Sequence, residues 1–245
     1  MITTAGTDVH VWCVTLRRER DLVARARALL GPDERRRADA FSFEHLGDDF
    51  AISRATMRAL LSTMVGTPPA DLRFSYGPYG KPSLAGDGPG RVEFNASHSG
   101  DIFACAVTRD RPLGIDVERS RRLPDYARLA QRFFSAAEYR DLMTLEESLR
   151  PAAFYACWSR KEAFIKALGG GLSIPLDSFR VSLTPGRTAA LLEVRGEPAE
   201  AAAWTIRDFL PDAGYAGAIA IRDRSATVHL HHADAAAILD DARVP

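Results

Sequence analysis

The chain has 245 residues, 46% of them hydrophobic and 26% charged, which is typical of a globular protein with one large domain or two small ones. Its 32 basic residues balance its 32 acidic residues, so no overall field attracts nucleic acid or an anionic membrane. No apolar run could span a bilayer, no signal-peptide pattern opens the chain, and the three cysteines lie far apart among apolar residues, so we expect a cytoplasmic protein with reduced thiols.

The first part of the chain is predicted to contain both strands and helices. Alternating apolar residues indicate strands, whereas apolar residues at helical spacing, bounded by glycine and proline, indicate helices. The predicted segments are a strand over 9–16, helices over 19–30, 32–46 and 50–66, a Gly/Pro-rich loop over 75–90, and a strand, turn and strand over 94–110.

The second part of the chain follows a loosely similar order. The predicted segments are a strand over 113–118, helices over 124–132, 135–148 and 151–168, alternating segments near 178–183, 189–194, 203–209, 216–222 and 227–231, and a short helix in the tail. This order predicts an α+β fold built from two halves of similar size, residues 1–110 and 111–245.

The helix at 158–168 carries the sharpest arrangement of polar residues. Trp158, Glu162 and Lys166 are spaced four residues apart, so they share one face of the predicted helix. Only three of the 32 basic residues are lysines, and two of them lie in this helix, which indicates positions that arginine does not fill. The alternative is an exposed Glu-to-Lys pair, which contributes only about 0.3 kcal/mol.

The strand at 113–118 places two carboxylates side by side. Asp116 and Glu118 are two residues apart and therefore lie on one face of the strand. With a third acid such as Glu162, they would form a set of hard oxygen ligands suited to Mg²⁺, which leaves its other positions to water and phosphate. The alternative is a solvated strand face.

Hydroxyl and imidazole side chains cluster in the segment 95–101. We expect Ser97, His98 and Ser99 to lie in a turn between two strands, where they and free backbone N–H groups could bind phosphate. A hydrolase triad of Ser97, His98 and Asp101 is disfavoured, because neighbours in sequence seldom face one another and the G-x-S-x-G motif is absent.

Five segments, in this order, resemble the Sfp-type 4′-phosphopantetheinyl transferases. They are GKP at 80–82, FNASHS at 94–99, GIDVE at 114–118, RFFSAAEY at 132–139 and WSRKEAFIKALGGGLSIPLDSF at 158–179. The resemblance implies transfer of the 4′-phosphopantetheine arm of coenzyme A to a serine of an apo carrier protein, with release of adenosine 3′,5′-bisphosphate. It also implies two α+β halves related by pseudo-twofold symmetry, with coenzyme A in the cleft between them.

The resemblance implies roles for individual residues as well. Asp116, Glu118 and Glu162 match metal ligands, with Mg²⁺ expected and Mn²⁺ as an alternative. Lys166 would stabilise or protonate the leaving bisphosphate, and either Glu162 or Glu138 would take the proton of the serine. The residues expected to contact coenzyme A are Arg37, Arg54, Lys81, Ser97, His98, Asp116, Lys161 and Lys166.

Two other functions are compatible with the residues alone. A Mg²⁺-dependent phosphohydrolase would use the same carboxylates with water as the acceptor. A non-catalytic coenzyme A-binding module should lack the metal acids, which this chain has. The expected partners are coenzyme A and an apo acyl, peptidyl or aryl carrier domain of fatty acid, polyketide or nonribosomal peptide synthesis, without nucleic acid or membrane. The size and the two-half plan favour a monomer.

Overall fold

The computed structural model describes residues 8–86, 90–194 and 196–242. The α-helices are α1 (Arg20–Leu29), α2 (Pro32–Asp39), α3 (Glu44–Val65), α4 (Tyr126–Phe133), α5 (Ala136–Thr144), α6 (Arg150–Leu168), α7 (Pro198–Ala201) and α8 (Ala235–Asp241). The strands are β1 (Asp8–Thr15), β2 (Phe74–Tyr76), β3 (Pro82–Leu84), β4 (Val92–Ser99), β5 (Ile102–Arg109), β6 (Leu113–Arg119), β7 (Phe179–Val181), β8 (Leu191–Val194), β9 (Thr205–Phe209), β10 (Tyr215–Ile221) and β11 (Thr227–Asp234). The start of the chain, part of the 75–90 loop and the end of the tail lie outside the described residues.

The first sheet has the strand order β11-β1-β5-β4. β1 is parallel to β11 and antiparallel to β5, and β5 is antiparallel to β4. One face of this sheet, with Trp12 and Phe94, packs on the buried side chains of α1, α3 and α8. Because neighbouring side chains on a strand point to opposite faces, Asn95, Ser97 and Ser99 of β4 lie on the other face of the sheet.

The second sheet is antiparallel, with the order β6-β10-β9, and α6 packs across it. The approach is close at Gly114, where an added Cβ would lie 2.2 Å from the carbonyl oxygen of Ala163. Glycine at this position therefore lets α6 lie directly on β6. As a result, the polar face of α6 comes beside the acids of β6.

Apolar cores lie between the first sheet and its helices and between the second sheet and its helices, and a further apolar core lies between the two sheets, which pack face to face. Val9, Val11 and Cys13 of β1 contribute to it from the first sheet, and Ile115 and Val117 contribute from the second. The helices cover the outer faces of both sheets, so the order of layers is helix, sheet, sheet, helix. The prediction of an α+β fold is confirmed.

The end of the chain departs from the predicted division into halves. β11 pairs with β1, and Ala235 and Leu239 of α8 are buried in the core of the first sheet. Residues 227–241 therefore belong with the first half, not with residues 111–221. Sequence distance conceals this pairing, because the alternation of β11 specifies a strand without specifying its neighbour.

Local differences also occur. The segment 32–46 is not one helix, because α2 ends at Asp39 and α3 begins at Glu44. The predicted 75–90 loop contains the paired strands β2 and β3. In the described part of the chain, none of the helices combines the length and the apolar character needed to cross a membrane.

Candidate active site

A cavity of about 680 Å³ lies where β4, β6 and α6 meet. β4 belongs to the first sheet, whereas β6 belongs to the second sheet, on which α6 packs, so both sheets contribute to the wall of the cavity. The polar residues that line it are Ser97, His98, Asp116, Glu118, Glu162 and Lys166, and Trp158 lies beside them. The structure thus brings together the three acids and the α6 lysine that the sequence predicted as a site.

Asp116 and Lys166 form the charged centre of this cavity. The Lys166 ammonium donates hydrogen bonds to Asp116 Oδ1 at 2.7 Å and to Ser97 Oγ at 3.0 Å. Asp116 is only 3% exposed, and its other oxygen, Oδ2, is buried without a hydrogen-bond partner among the described residues. A buried carboxylate oxygen without a partner is costly, so Oδ2 is poised to receive a ligand.

Glu118 and Glu162 carry the remaining acidic charge. Burial raises the pKa of the Glu162 carboxyl, and the charge of Asp116 raises it further, while Lys166 opposes the shift. Burial and the Asp116 charge also raise the pKa of Glu118, against a hydrogen bond from Ser99. Both shifts have the same cause, which is negative charge crowded into a partly desolvated space. A bound cation would neutralise part of this negative charge.

The chemistry of these donors fits a hard divalent cation. All three side chains offer carboxylate oxygens, which Mg²⁺ and Mn²⁺ prefer as ligands, and Asp116 Oδ2 accepts no hydrogen bond from the described residues. Within residues 8–86, 90–194 and 196–242, however, no three His, Cys, Asp or Glu side chains are placed so that they could already hold a metal ion. The positive charge in the cluster is that of Lys166.

Ser97, His98 and Ser99 do not lie in a turn, as the sequence had suggested. They are the last residues of β4 and stand opposite Ala104, Phe103 and Ile102 of β5. The turn begins only at Gly100, which has a φ of +57°. These residues therefore offer the cavity their hydroxyl and imidazole groups and not a run of free backbone N–H groups.

Lys161 and Glu138 are not brought into the cavity. They form a buried ion pair at 2.8 Å, with side chains 0% and 1% exposed. Lys161 Nζ also donates to the carbonyl oxygens of Leu176 and Phe179, at 2.7 and 2.8 Å. This placement argues against the predicted contact between Lys161 and coenzyme A, because the ammonium is enclosed by the core.

Glu138 is likewise occupied by structural contacts. It caps the start of α5, where its Oε2 accepts hydrogen bonds from the backbone N–H and the hydroxyl of Ser135. Its Oε1 accepts a bond from the N–H of Val181 at 2.8 Å. With both oxygens bonded inside the core, Glu138 is poorly placed to take a proton from a substrate.

The other predicted contacts with coenzyme A lie outside the wall of this cavity. Arg54 donates to Glu34 at 2.6 Å and also contacts Tyr76, whereas Arg37 is exposed, with its guanidinium 5.2 Å from the centre of the Phe50 ring. Lys81 connects three segments, since its ammonium donates to the carbonyl oxygens of Leu113 and Ala167 at 3.0 and 3.1 Å. Burial lowers the pKa of Lys81.

A second cavity, of about 360 Å³, shares Glu118 and Trp158 with the first. Apolar and aromatic side chains form part of its wall, and they include Leu123, Leu129, Phe154 and Tyr155. Ser99, Arg119 and Arg121 add polar groups. No local sequence pattern indicates this space, because its residues come from β4 and the turn after it, from β6, α4 and α6, and from the segment between β6 and α4.

Comparison with known proteins agrees with this architecture. Residues 112–220 match the model of the 4′-phosphopantetheinyl transferase superfamily, and residues 18–110 match that of the N-terminal part of 4′-phosphopantetheinyl transferase. The 4′-phosphopantetheinyl transferase HetI of Nostoc sp. is 33% identical over 222 residues, which cover 90% of each chain. The chain belongs to the 4′-phosphopantetheinyl transferase family.

Other relatives of this transferase extend the comparison. The 4′-phosphopantetheinyl transferase Sfp of Bacillus subtilis is 37% identical over 156 residues, which cover 64% of this chain and 67% of that protein. The L-aminoadipate-semialdehyde dehydrogenase-phosphopantetheinyl transferase of Xenopus laevis is 28% identical over 215 residues, which cover 82% and 70%. The family and the enzyme class predicted from the sequence are confirmed, and the phosphohydrolase alternative finds no support.

Proposed function

We propose that this transferase moves the phosphopantetheine arm of coenzyme A to a serine of an apo carrier protein in the cavity between β4, β6 and α6. The observation that carries the proposal is the convergence of Asp116, Glu118, Glu162 and Lys166 on one cavity, where the buried Asp116 Oδ2 has no hydrogen-bond partner among the described residues. A pyrophosphate and its counter-ion would satisfy this arrangement of charge.

Asp116, Glu118 and Glu162 would hold a divalent cation, Mg²⁺ by preference and Mn²⁺ as a substitute. When bound, the ion would neutralise charge on the pyrophosphate and help to orient the scissile bond. The three acids themselves keep the local charge negative until the cation arrives. Asp116 is buried and the two glutamates are partly buried, which strengthens their electrostatic interactions relative to open water.

Lys166 would act on the leaving group. Its ammonium reaches Asp116 and Ser97 at the centre of the cavity, and its side chain keeps 28% exposure. As the bond between the two phosphates of coenzyme A breaks, negative charge grows on the departing adenosine 3′,5′-bisphosphate. A lysine held in place for that charge lowers the barrier without the cost of reorienting water.

Glu162 would take the proton of the attacking serine. A general base must lie within reach of the proton that it removes, and Glu162 is a partly buried carboxylate on the wall of this cavity. The serine oxygen then forms its bond to the phosphorus that bears the pantetheine arm. Of the two bases considered from the sequence, Glu162 is favoured because it lines the cavity, whereas both oxygens of Glu138 are bonded in the core.

The second cavity would receive the pantetheine arm. It lies beside Glu118 and Trp158, and its mixed apolar and polar wall suits a chain of methylene and amide groups. Arg119 and Arg121 at this cavity would attract an acidic surface of the carrier domain. We also infer a cytoplasmic protein, because its three cysteines are buried free thiols, and a monomer, because of its size and two-half plan. Its net charge of zero favours neither nucleic acid nor an anionic membrane as a partner.

The proposal is tested by mixing the protein with coenzyme A, Mg²⁺ and a panel of apo acyl, peptidyl and aryl carrier domains. A gain of about 340 Da on the carrier, the mass of the arm supplied by the cofactor, is the expected result. Asp116→Asn and Glu162→Gln should abolish it, whereas Glu146→Gln, on an exposed loop, should not. Metal-dependent release of phosphate without a change in carrier mass would contradict the proposal.

A further inference from the structure

Side chains of β4 accept hydrogen bonds from backbone N–H groups of β6, as the backbone of a neighbouring strand would in a continuous sheet. β6 is the outer strand of the second sheet, and its far side faces β4 of the first sheet. Three N–H groups of β6 donate across this gap: Ile115 N to Asn95 Oδ1 at 2.9 Å, Val117 N to Ser97 Oγ at 3.3 Å, and Arg119 N to Ser99 Oγ at 3.1 Å. The period of two is the same in both strands, so the three bonds form a ladder.

This ladder meets a physical requirement of the fold. An outer strand presents N–H groups that need acceptors, particularly where they are buried between two sheets. Asn95, Ser97 and Ser99 supply those acceptors. The bonds hold the two sheets together and fix the register of β6 against β4.

The two serines each perform a second task with the same hydroxyl group. A serine hydroxyl has one proton to donate and two lone pairs with which to accept. Ser97 donates to Asp116 Oδ1 at 3.1 Å, and Ser99 donates to Glu118 Oε2 at 3.2 Å. Each hydroxyl therefore connects a backbone N–H of β6 to the carboxylate of the residue just before it.

We propose that Ser99 is a positioning residue that holds the Glu118 carboxylate ready for a divalent cation. The inference rests on the proposed function, because it assumes that Glu118 is a metal ligand. Ser97 contacts Lys166 and belongs to the charged centre, whereas Ser99 contacts Glu118 and the backbone of Arg119. Ser99 thus acts through Glu118 and sets how well that ligand is preorganised.

Loss of the Ser99 hydroxyl should weaken metal binding more than it weakens the fold. Removal of a group that orients a metal ligand typically lowers metal affinity by about 10- to 100-fold. We expect Ser99→Ala to raise the dissociation constant for Mn²⁺ by at least about tenfold. In a Glu118→Gln background, Ser99→Ala should raise the Mn²⁺ dissociation constant little further, because the carboxylate that Ser99 positions is already absent.

The experiment titrates the full chain with Mn²⁺ alone and measures bound metal by electron paramagnetic resonance. The variants are Ser99→Ala and a pair of equal shape, Ser99→Thr and Ser99→Val, of which only threonine keeps a hydroxyl. Ser75→Ala is the control, since the Ser75 hydroxyl bonds to Ser83 at 2.8 Å on the exposed β2–β3 hairpin. Circular dichroism and the melting temperature report on folding for each variant.

The expected result is wild-type affinity in Ser99→Thr and Ser75→Ala, and weaker binding in Ser99→Ala and Ser99→Val. If Ser99→Ala fails to fold, the Thr/Val pair still decides the matter. Equal Mn²⁺ affinity in those two would overturn the role of Ser99 while leaving the proposed function intact. If the wild-type protein transfers the arm but binds no Mn²⁺, the proposed metal site and the role of Ser99 both fail.

Discussion

Lys166 Nζ lies 2.7 Å from Asp116 Oδ1, and this contact joins α6 to β6 at the floor of the cavity. Asp116 is almost completely buried, so the lysine stabilises a carboxylate that water cannot solvate. The same ammonium also reaches Ser97 on β4. The Lys166 side chain therefore connects α6 with one strand of each sheet, β6 and β4, at the point where we place the chemistry.

Replacement of Lys166 should affect catalysis strongly. We expect Lys166→Met to lower kcat by about 100-fold or more, because a positive charge aimed at the leaving group would be lost. Lys166→Arg should retain part of the rate, since it keeps the charge but not the compact geometry. Steady-state transfer to an apo carrier domain measures both. A Lys166→Met variant with a wild-type kcat would rule out this role.

Glu138 and Glu162 should respond differently to the same change. Glu138→Gln leaves the buried Lys161 ammonium without its counter-ion, so we expect about 3–5 kcal/mol of lost stability. The transfer rate per folded molecule should remain close to that of the wild type. Glu162→Gln should instead retain stability and lose transfer. Urea unfolding and single-turnover assays on both variants make the comparison, and the opposite pattern would assign the base to Glu138.

Gly114 should tolerate no side chain. A methyl group at this position would lie 2.2 Å from the carbonyl oxygen of Ala163 and 2.3 Å from the amide nitrogen of Ala167, so α6 would have to move away from β6. We expect Gly114→Ala to cost about 4 kcal/mol or more, the range of severe core overpacking. Gly77→Ala is the control, because its added Cβ would be 3.7 Å from the Lys81 carbonyl oxygen. Equal melting temperatures of the Gly114→Ala and Gly77→Ala variants would show that the fold does not require the close approach of α6 to β6.

Stability should decrease in mild acid because of a histidine cluster between β1 and β11. His10 Nδ1 lies 2.9 Å from His231 Nε2, the His229 ring stacks on His10, and Asp8 bonds to His229 at 3.0 Å. Burial lowers the pKa of His10, as do the charges of His231 and His229, while Asp8 opposes the shift. Burial is also the main cause that lowers the pKa of His231.

Acid should lower the stability because the unfolded chain binds protons at these histidines more tightly than the folded protein does. The unfolded chain takes up protons near the ordinary histidine pKa of 6.5, and the folded protein does so only at lower pH. The free energy of unfolding is therefore at its full value above that pH, and it falls as the pH drops toward the lowered pKa values. His10→Phe combined with His231→Phe should flatten this dependence, whereas His45→Phe, at an exposed position, should not. Urea unfolding between pH 5 and 8, the range over which His charge changes, is the measurement.

Much of the site was visible in local patterns. The spacing of Trp158, Glu162 and Lys166 predicts one helix face, and the alternation around Asp116 and Glu118 predicts one strand face. Such patterns depend on residues a few positions apart, so they need no knowledge of the fold. The structure places all five side chains around one cavity.

Other assignments required the tertiary structure. Glu138 and Lys161 are the same residue types as Glu162 and Lys166, yet they are buried together because α5, α6 and the segment around Phe179 enclose them. The Lys81 ammonium donates hydrogen bonds to the carbonyl oxygens of Leu113 and Ala167, which lie far from it in the sequence. Whether a charged side chain faces a cleft or the core depends on which segments pack against it.

By itself, the sequence determined the alternation of strands and helices, the α+β class, the family and the identity of the three clustered acids. Only the tertiary structure decided that β11 joins β1, that Glu162 and not Glu138 lines the cavity, and that Ser99 bonds to Glu118. The reason is physical: the period of a helix or strand is a property of neighbouring residues. The burial and the hydrogen-bond partners of a polar group are properties of segments brought together from across the chain.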